Sequence, residues 1–93
     1  MLKKYKKLAN VIFKNNTKDF NIRKTIEELQ ELSLILTQQL NKPHKDFNDE
    51  IIKEIADVKI RLLYLDTIYN KTAIYNRMIF KIKKIIKNVN NRG

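Results

Sequence analysis

The chain has no cysteine and no tryptophan, and it has only one glycine and one proline. The lack of cysteine excludes disulfide bonds and thiolate metal sites, which fits a reducing compartment. The scarcity of glycine and proline leaves few turn-forming residues, while Leu, Ile, Lys, Glu and Gln recur at helical spacing. The sequence therefore predicts an all-α fold.

No apolar run approaches the roughly 20 residues that a membrane-spanning helix needs. The first residues, MLKKYKKLANVIF, are basic, and their apolar stretch is too short and too polar for a secretory signal. We therefore expect a cytoplasmic protein that does not associate with membranes. A length of 93 residues predicts a single domain, spanning 1–93, with a modest core.

Apolar residues recur every three or four positions in four segments that are separated by polar breaks. These segments predict a short N-terminal helix and three longer helices, at 2–14, 18–41, 49–69 and 73–89. Pro43 marks the clearest break, because proline cannot continue a helix. The short connection around Pro43 makes the second and third helices antiparallel neighbours, as in a four-helix bundle.

The two central helices each carry an apolar row that we expect to lie in the core of the bundle. The rows are Ile22, Ile26, Leu29, Leu36 and Leu40 in the second helix, and Ile51, Ile55, Val58, Leu62, Leu65 and Tyr69 in the third. Further apolar residues lie outside these rows, among them Leu32, Ile35 and Ile52. A single layer of four helices would leave this surface exposed, so we expect a homodimer or homotetramer.

Five of the ten acidic residues lie in two short segments of a chain whose formal charge is +10. Glu28 and Glu31 are three residues apart in the second helix, so they project from one face of it. Glu54 and Asp57 have the same spacing in the third helix. Antiparallel packing brings the four carboxylates together, where their repulsion favours a bound divalent cation. Oxygen ligands favour Mg²⁺, while the absence of cysteine and the isolation of His44 in a loop disfavour zinc.

These acidic residues and their apolar neighbours resemble a known family. The segment EELQE, with Glu27, Glu28 and Glu31, forms an EExxE motif, and Glu54 and Asp57 form an ExxD motif within EIADV. The two motifs are similar to the signature of the MazG-like all-α nucleoside triphosphate pyrophosphohydrolases. The resemblance covers roughly residues 22–87.

The resemblance implies a MazG-like helical bundle, assembled as a homo-oligomer, that converts a nucleoside triphosphate to the monophosphate and pyrophosphate. It implies Mg²⁺ as the cofactor, with Mn²⁺ as a substitute, bound by Glu28, Glu31, Glu54 and Asp57. The chain departs from the family pattern at two positions. Lys53 stands where many members carry an acidic residue, and Gln30 stands where glycine is often seen.

The implied mechanism is hydrolysis of the α,β-phosphoanhydride by a water that the metal activates. Glu27 and Glu31 are the candidate catalytic residues that orient or deprotonate this water. Basic side chains suit the leaving pyrophosphate, because ammonium and guanidinium groups match its charge. The candidates for this phosphate-binding role are Lys59, Arg61, Lys81 and Lys84.

Two other functions fit the sequence. A protein of the same fold can bind a nucleotide or signalling nucleotide without turnover. The charge of +10 also fits a helical nucleic-acid-binding protein, although the basic residues are spread over all four helices and no recognised DNA-binding motif is present. Acidic pairs at this spacing are also common on solvated helix faces, so spacing alone does not identify a metal site.

Overall fold

The computed structural model describes residues 3–92, which form four α-helices and no strand. Helix α1 spans Lys3–Lys14, α2 spans Lys18–Asn41, α3 spans Asn48–Ile68 and α4 spans Lys71–Arg92. The predicted all-α class is confirmed. Leu2, the predicted start of the first helix, lies outside the described residues, as do Met1 and Gly93 of the predicted domain. Each helix of the described range is too short or too polar to cross a lipid bilayer.

Side-chain hydrogen bonds hold both ends of α2. The hydroxyl of Thr17 accepts a hydrogen bond from the backbone N–H of Phe20 at 3.1 Å, which satisfies a free donor of the first helical turn. At the other end, the Gln39 amide donates to the carbonyl oxygen of Lys45 at 2.7 Å and accepts from the N–H of Phe47 at 3.1 Å. These bonds close the loop that returns the chain, so α3 runs antiparallel to α2.

The largest contact between helices is that of α2 with α3, and α2 contributes polar residues to it. Asn21, Thr25 and Glu28 are the buried residues of α2. Their spacing of four and three positions puts them in one row along the helix. The Thr25 hydroxyl donates to the carbonyl oxygen of Asn21 at 2.8 Å, so its burial does not leave it without a partner.

A small aromatic core joins α1 to α3. The rings of Phe13 and Tyr64 meet edge to face with their centroids 5.3 Å apart, and both residues are buried together with Ala9. The amide of Asn21 donates to the carbonyl oxygen of Phe13 at 3.0 Å and accepts from Arg61 at 3.5 Å. Asn21, only 1% exposed, therefore connects three helices and satisfies a carbonyl at the end of α1.

The apolar row of α2 that was expected to form the core is largely exposed in a single chain, apart from Ile22, whereas Ile51, Val58 and Leu65 of the α3 row are buried or half-buried. In α2, Ile26, Leu29, Leu36 and Leu40 are all at least 43% exposed. In α3, Val58 is buried, but Ile55 and Leu62 are exposed. The physical reason is the rotation of α2: the hydrogen bonds of Asn21 turn its polar row toward α3, and the apolar row then faces outward.

Helix α4 extends away from the other three helices. Every side chain from Lys71 to Asn91 is exposed. The radius of gyration is 16.7 Å, whereas a compact chain of this length has a radius of about 12 Å. A single chain thus packs α1, α2 and α3 together and leaves α4 without a partner helix.

We predict that Asn21→Ala lowers the free energy of unfolding by about 1–3 kcal/mol, because it leaves the buried Phe13 carbonyl without its donor. Urea denaturation followed by circular dichroism, at a fixed protein concentration, measures this. Asn10→Ala, at an exposed position of α1, is the matched control, since it carries the same gain in helix propensity without the lost bonds. Equal effects of the two substitutions would contradict the role of Asn21.

Candidate metal centre

The acidic residues singled out in the sequence come together between α2 and α3. Glu28, Glu54 and Asp57 each offer a carboxylate oxygen, and these oxygens lie within 4.8 Å of one another. Glu27, Glu28 and Glu31 form a second group of the same kind. Because Glu28 belongs to both groups, the five residues form one acidic cluster.

The acidic cluster is most buried at its centre. Glu28 is 7% exposed, Glu54 and Asp57 are half-buried, and Glu27 is exposed. The Oε2 atoms of Glu28 and Glu54 are buried and have no hydrogen-bond partner among the described residues. A buried carboxylate oxygen without a partner is costly in free energy. A divalent cation held between these carboxylates would remove that cost, so the donor set fits a metal.

Lys53 of α3 partly neutralises one half of the acidic cluster. Its Nζ atom lies 3.1 Å from a carboxylate oxygen of Glu54 and 3.7 Å from one of Asp57. The hydrogen bond to Glu54, and then the charges of Glu54 and Asp57, raise the pKa of Lys53. In the sequence, Lys53 stands out only as a departure from the family pattern. Its position four residues before Asp57, the spacing of helical ion pairs, is the signal that identifies this contact.

Lys24 has the corresponding position on α2. Its Nζ atom lies 3.2 Å from Glu27 and 3.5 Å from Glu28, and the hydrogen bond to Glu27 raises the pKa of Lys24. The pKa of Glu31 is also raised, first by burial and then by the negative charges of Glu28 and Glu54. A raised pKa brings a carboxylate closer to the working range of a general base. Of the two candidate catalytic residues, Glu31 is half-buried beside Glu28, and Glu27 forms an ion pair with Lys24.

The four candidate phosphate-binding residues are spread over the structure. Arg61 follows Asp57 by one turn of α3 and is half-buried against α2. Lys59 is exposed and, at two positions from Asp57, is rotated about 200° around the helix axis. Lys81 and Lys84 line a shallow depression that is formed by α4 alone. A single chain thus places Arg61 one helical turn from Asp57, where it bonds to Asn21, and the three lysines elsewhere.

An open groove lies between α2 and α3 next to the acidic cluster. It is lined by Glu31 and Glu54 of the cluster, together with Leu34, Ile35, Gln38 and Glu50. Its volume is about 230 Å³, somewhat below the range of about 300–1,000 Å³ that small-molecule sites occupy. The groove has an apolar wall, one amide and carboxylates at one end. These features suit a ligand that has a flat ring system and a charged, metal-binding group.

Comparisons of the chain with protein-family models, with curated proteins and with solved structures found no significant match. The resemblance to MazG-like pyrophosphohydrolases therefore depends on the motif residues themselves. A function for this chain has to be argued from the chemistry of the acidic cluster and of the groove beside it.

We predict that Lys53→Met tightens Mn²⁺ binding about three- to tenfold. The reason is that the positive charge of Lys53 competes with the ion for Glu54 and Asp57. The effect is modest because Lys53 is exposed to solvent. Isothermal titration calorimetry without nucleotide measures it. Lys59→Met, which removes the same charge from the other side of α3, is the control. Equal tightening in both variants would show only the general effect of net charge.

Proposed function

We propose that this protein is a Mg²⁺-dependent nucleoside triphosphate pyrophosphohydrolase, which converts a ribo- or deoxyribonucleoside triphosphate to its monophosphate and pyrophosphate. The observation that carries the proposal is the convergence of Glu28, Glu54 and Asp57 within 4.8 Å, with two buried oxygens that have no partner among the described residues. All the donors are carboxylate oxygens, which Mg²⁺ prefers and which also accept Mn²⁺.

The groove supports a nucleotide as the substrate. Its carboxylate end, at Glu31 and Glu54, suits the triphosphate together with its Mg²⁺, because the phosphates alone would be repelled there. Leu34 and Ile35 give the apolar wall against which a base or sugar can pack. Gln38 also lines the groove, and its amide can donate hydrogen bonds to polar groups of that base or sugar and accept them.

Side chains of this chain have distinct roles in the proposed reaction. Glu28, Glu54 and Asp57 would hold the metal, which when bound supplies Lewis-acid polarisation of the phosphate oxygens and of the attacking water. Glu31, next to Glu28 in the acidic cluster, accepts the proton of that water. The side chain of Lys53 is 69% exposed, so it can leave Glu54 and contact a phosphate oxygen of the leaving pyrophosphate.

A second function, capture of a nucleotide without turnover, uses the same groove and the same metal. It differs from the proposed reaction in one property, the formation of product. Glu31 offers the hydrolase a carboxylate beside the metal-binding residues that can accept a proton.

We predict Mg²⁺-dependent release of pyrophosphate from at least one member of a panel of ribo- and deoxyribonucleoside triphosphates. Glu54→Gln should lower the rate at least about a hundredfold, because it removes a metal ligand and leaves the fold intact. Asp49→Asn, a change of the same kind at an exposed position in the first turn of α3, should retain activity. A coupled phosphate assay with added inorganic pyrophosphatase measures the rate.

The same panel decides between hydrolysis and capture. Saturable, Mg²⁺-dependent binding of a nucleotide, measured by calorimetry, with no pyrophosphate released would contradict the enzyme and support the capture function. Turnover that Glu54→Gln leaves unchanged would exclude the acidic cluster as the site. Chelation of divalent ions by EDTA should abolish both turnover and metal-dependent binding.

A further inference from the structure

Helices α1 and α4 carry most of the positive charge of the chain and none of its negative charge. Of the 20 basic residues, five lie in α1 and seven in α4, whereas all ten acidic residues lie in α2, in α3 and in the loop that joins them. Helix α4 therefore presents only positive charge to a partner. A partner that complements this charge is itself negative.

The apolar side chains of α4 lie on one side of the helix. At about 100° per residue, six of the residues between Met78 and Val89 fall within an arc of about 120°, and no charged residue of this segment lies in that arc. Every side chain from Lys71 to Asn91 is exposed, so no other part of the described chain covers the six. They are at least 39% exposed and form the apolar strip of α4: Met78, Ile79, Ile82, Ile85, Ile86 and Val89.

Lysines border the apolar strip on both sides. Lys83 lies about 40° beyond Ile79 at one edge, and Lys81 lies about 40° beyond Ile85 at the other. A lysine at such an edge can extend its aliphatic stem along apolar surroundings and keep its ammonium group among polar ones. The strip and its borders therefore suit a partner in which an apolar layer lies directly beneath a negatively charged one.

Phe80 is the large apolar residue of this segment that lies outside the strip. It is about 160° around the helix axis from Ile82, the centre of the strip. Its ring lies 5.1 Å from the guanidinium carbon of Arg77, in a cation–π contact on the basic side of α4. Phe80 is 54% exposed and Ile82 is 53% exposed, so the two positions form a matched pair inside and outside the strip.

Three kinds of partner differ in how well they fit α4. A second α4 brings together two helices that each carry seven basic residues and no acidic one, which is repulsive. A nucleic acid complements the charge but leaves the apolar strip in water. A bilayer surface with anionic headgroups satisfies both the charge and the strip.

We propose that α4 binds in the plane of an anionic lipid surface, with its apolar strip below the headgroups and its lysines at the headgroup phosphates. The expectation of no membrane association depended on the lack of an apolar run of roughly 20 residues, which is a criterion for spanning helices. A helix that lies in the surface instead needs a strongly charged side, an apolar side and low overall hydropathy, and α4 has all three. The acidic cluster, between α2 and α3, takes no part in this contact.

The first test is co-sedimentation of the full chain with vesicles of equimolar phosphatidylcholine and phosphatidylglycerol. We expect binding to these vesicles that is at least about tenfold tighter than binding to phosphatidylcholine alone. Ile82→Asn should weaken the binding about fivefold or more, because it puts a polar amide in the apolar strip. The matched control, Phe80→Asn, makes a similar change at an equally exposed position on the basic side and should bind like the wild-type chain.

The electrostatic part of the contact has its own variant. Lys83→Gln combined with Lys87→Gln should weaken binding to the anionic vesicles about tenfold or more, because it removes two positive charges that lie near the headgroups. The control is Lys42→Gln combined with Lys45→Gln, which removes the same charge from two exposed positions between α2 and α3. This control should bind like the wild-type chain.

The second test locates the strip in the bilayer and uses the absence of cysteine from the chain. Ile82→Cys and Phe80→Cys each take an environment-sensitive fluorophore. On addition of the anionic vesicles, we expect the emission of the label at position 82 to shift to the blue and that of the label at position 80 to stay unchanged. Equal shifts would contradict the orientation of α4, and this readout does not depend on the asparagine variants.

Several results would overturn the proposal. If the wild-type chain does not bind the anionic vesicles, a dimer seen by analytical ultracentrifugation would identify a second copy as the partner of the strip. Tight binding to duplex DNA, weakened by the Lys83 and Lys87 changes but not by Ile82→Asn, would identify a nucleic acid instead. Equal losses of vesicle binding in Ile82→Asn and Phe80→Asn would exclude the strip as the contact.

The lipid contact and the proposed reaction can fail separately. Glu54→Gln changes the acidic cluster and leaves α4 as it is, so it should bind the vesicles like the wild-type chain. Loss of vesicle binding in this variant would contradict the assignment of the contact to α4 alone.

Discussion

The orientation of α2 against α3 is the constraint on which the rest of the structure depends. It is set by Asn21, which bonds at once to the end of α1 and to Arg61 of α3. With Asn21 inside, the helical period puts Thr25 and Glu28 inside as well. The same rotation sends the apolar row of α2 outward. One buried amide thus decides which side of the central helix becomes the contact with α3 and which side remains open.

Burial of Glu28 explains the chemistry of the acidic cluster. A carboxylate at this depth, close to Glu54 and Asp57, raises the free energy of the folded chain unless a positive charge is near. Lys24 and Lys53 supply part of that charge from the rim, but the inner oxygens of Glu28 and Glu54 stay without a partner among the described residues. Buried carboxylates that lower the stability of the fold and lie next to a groove are typical of a ligand-binding site.

The two sides of the α2–α3 pair differ in chemistry. One side holds carboxylates and a small open groove, and the other holds exposed leucine and isoleucine side chains. Helix α4 is both basic and apolar, and all its side chains from Lys71 to Asn91 are exposed in a single chain.

The sequence by itself determined the all-α class, the approximate extent of the helices and the grouping of the acidic residues. These follow from local rules: helical period, the break at Pro43, and the three-residue spacing of Glu28 with Glu31 and of Glu54 with Asp57. Only the tertiary structure decided which row of α2 is buried, that Lys53 contacts Glu54 and Asp57, and that α4 leaves Lys81 and Lys84 apart from the acidic cluster in a single chain. Those outcomes depend on how whole helices rotate and dock. A periodic sequence pattern does not say which face of a helix is buried. Tertiary contacts, such as the hydrogen bond from Asn21 to Phe13, decide that.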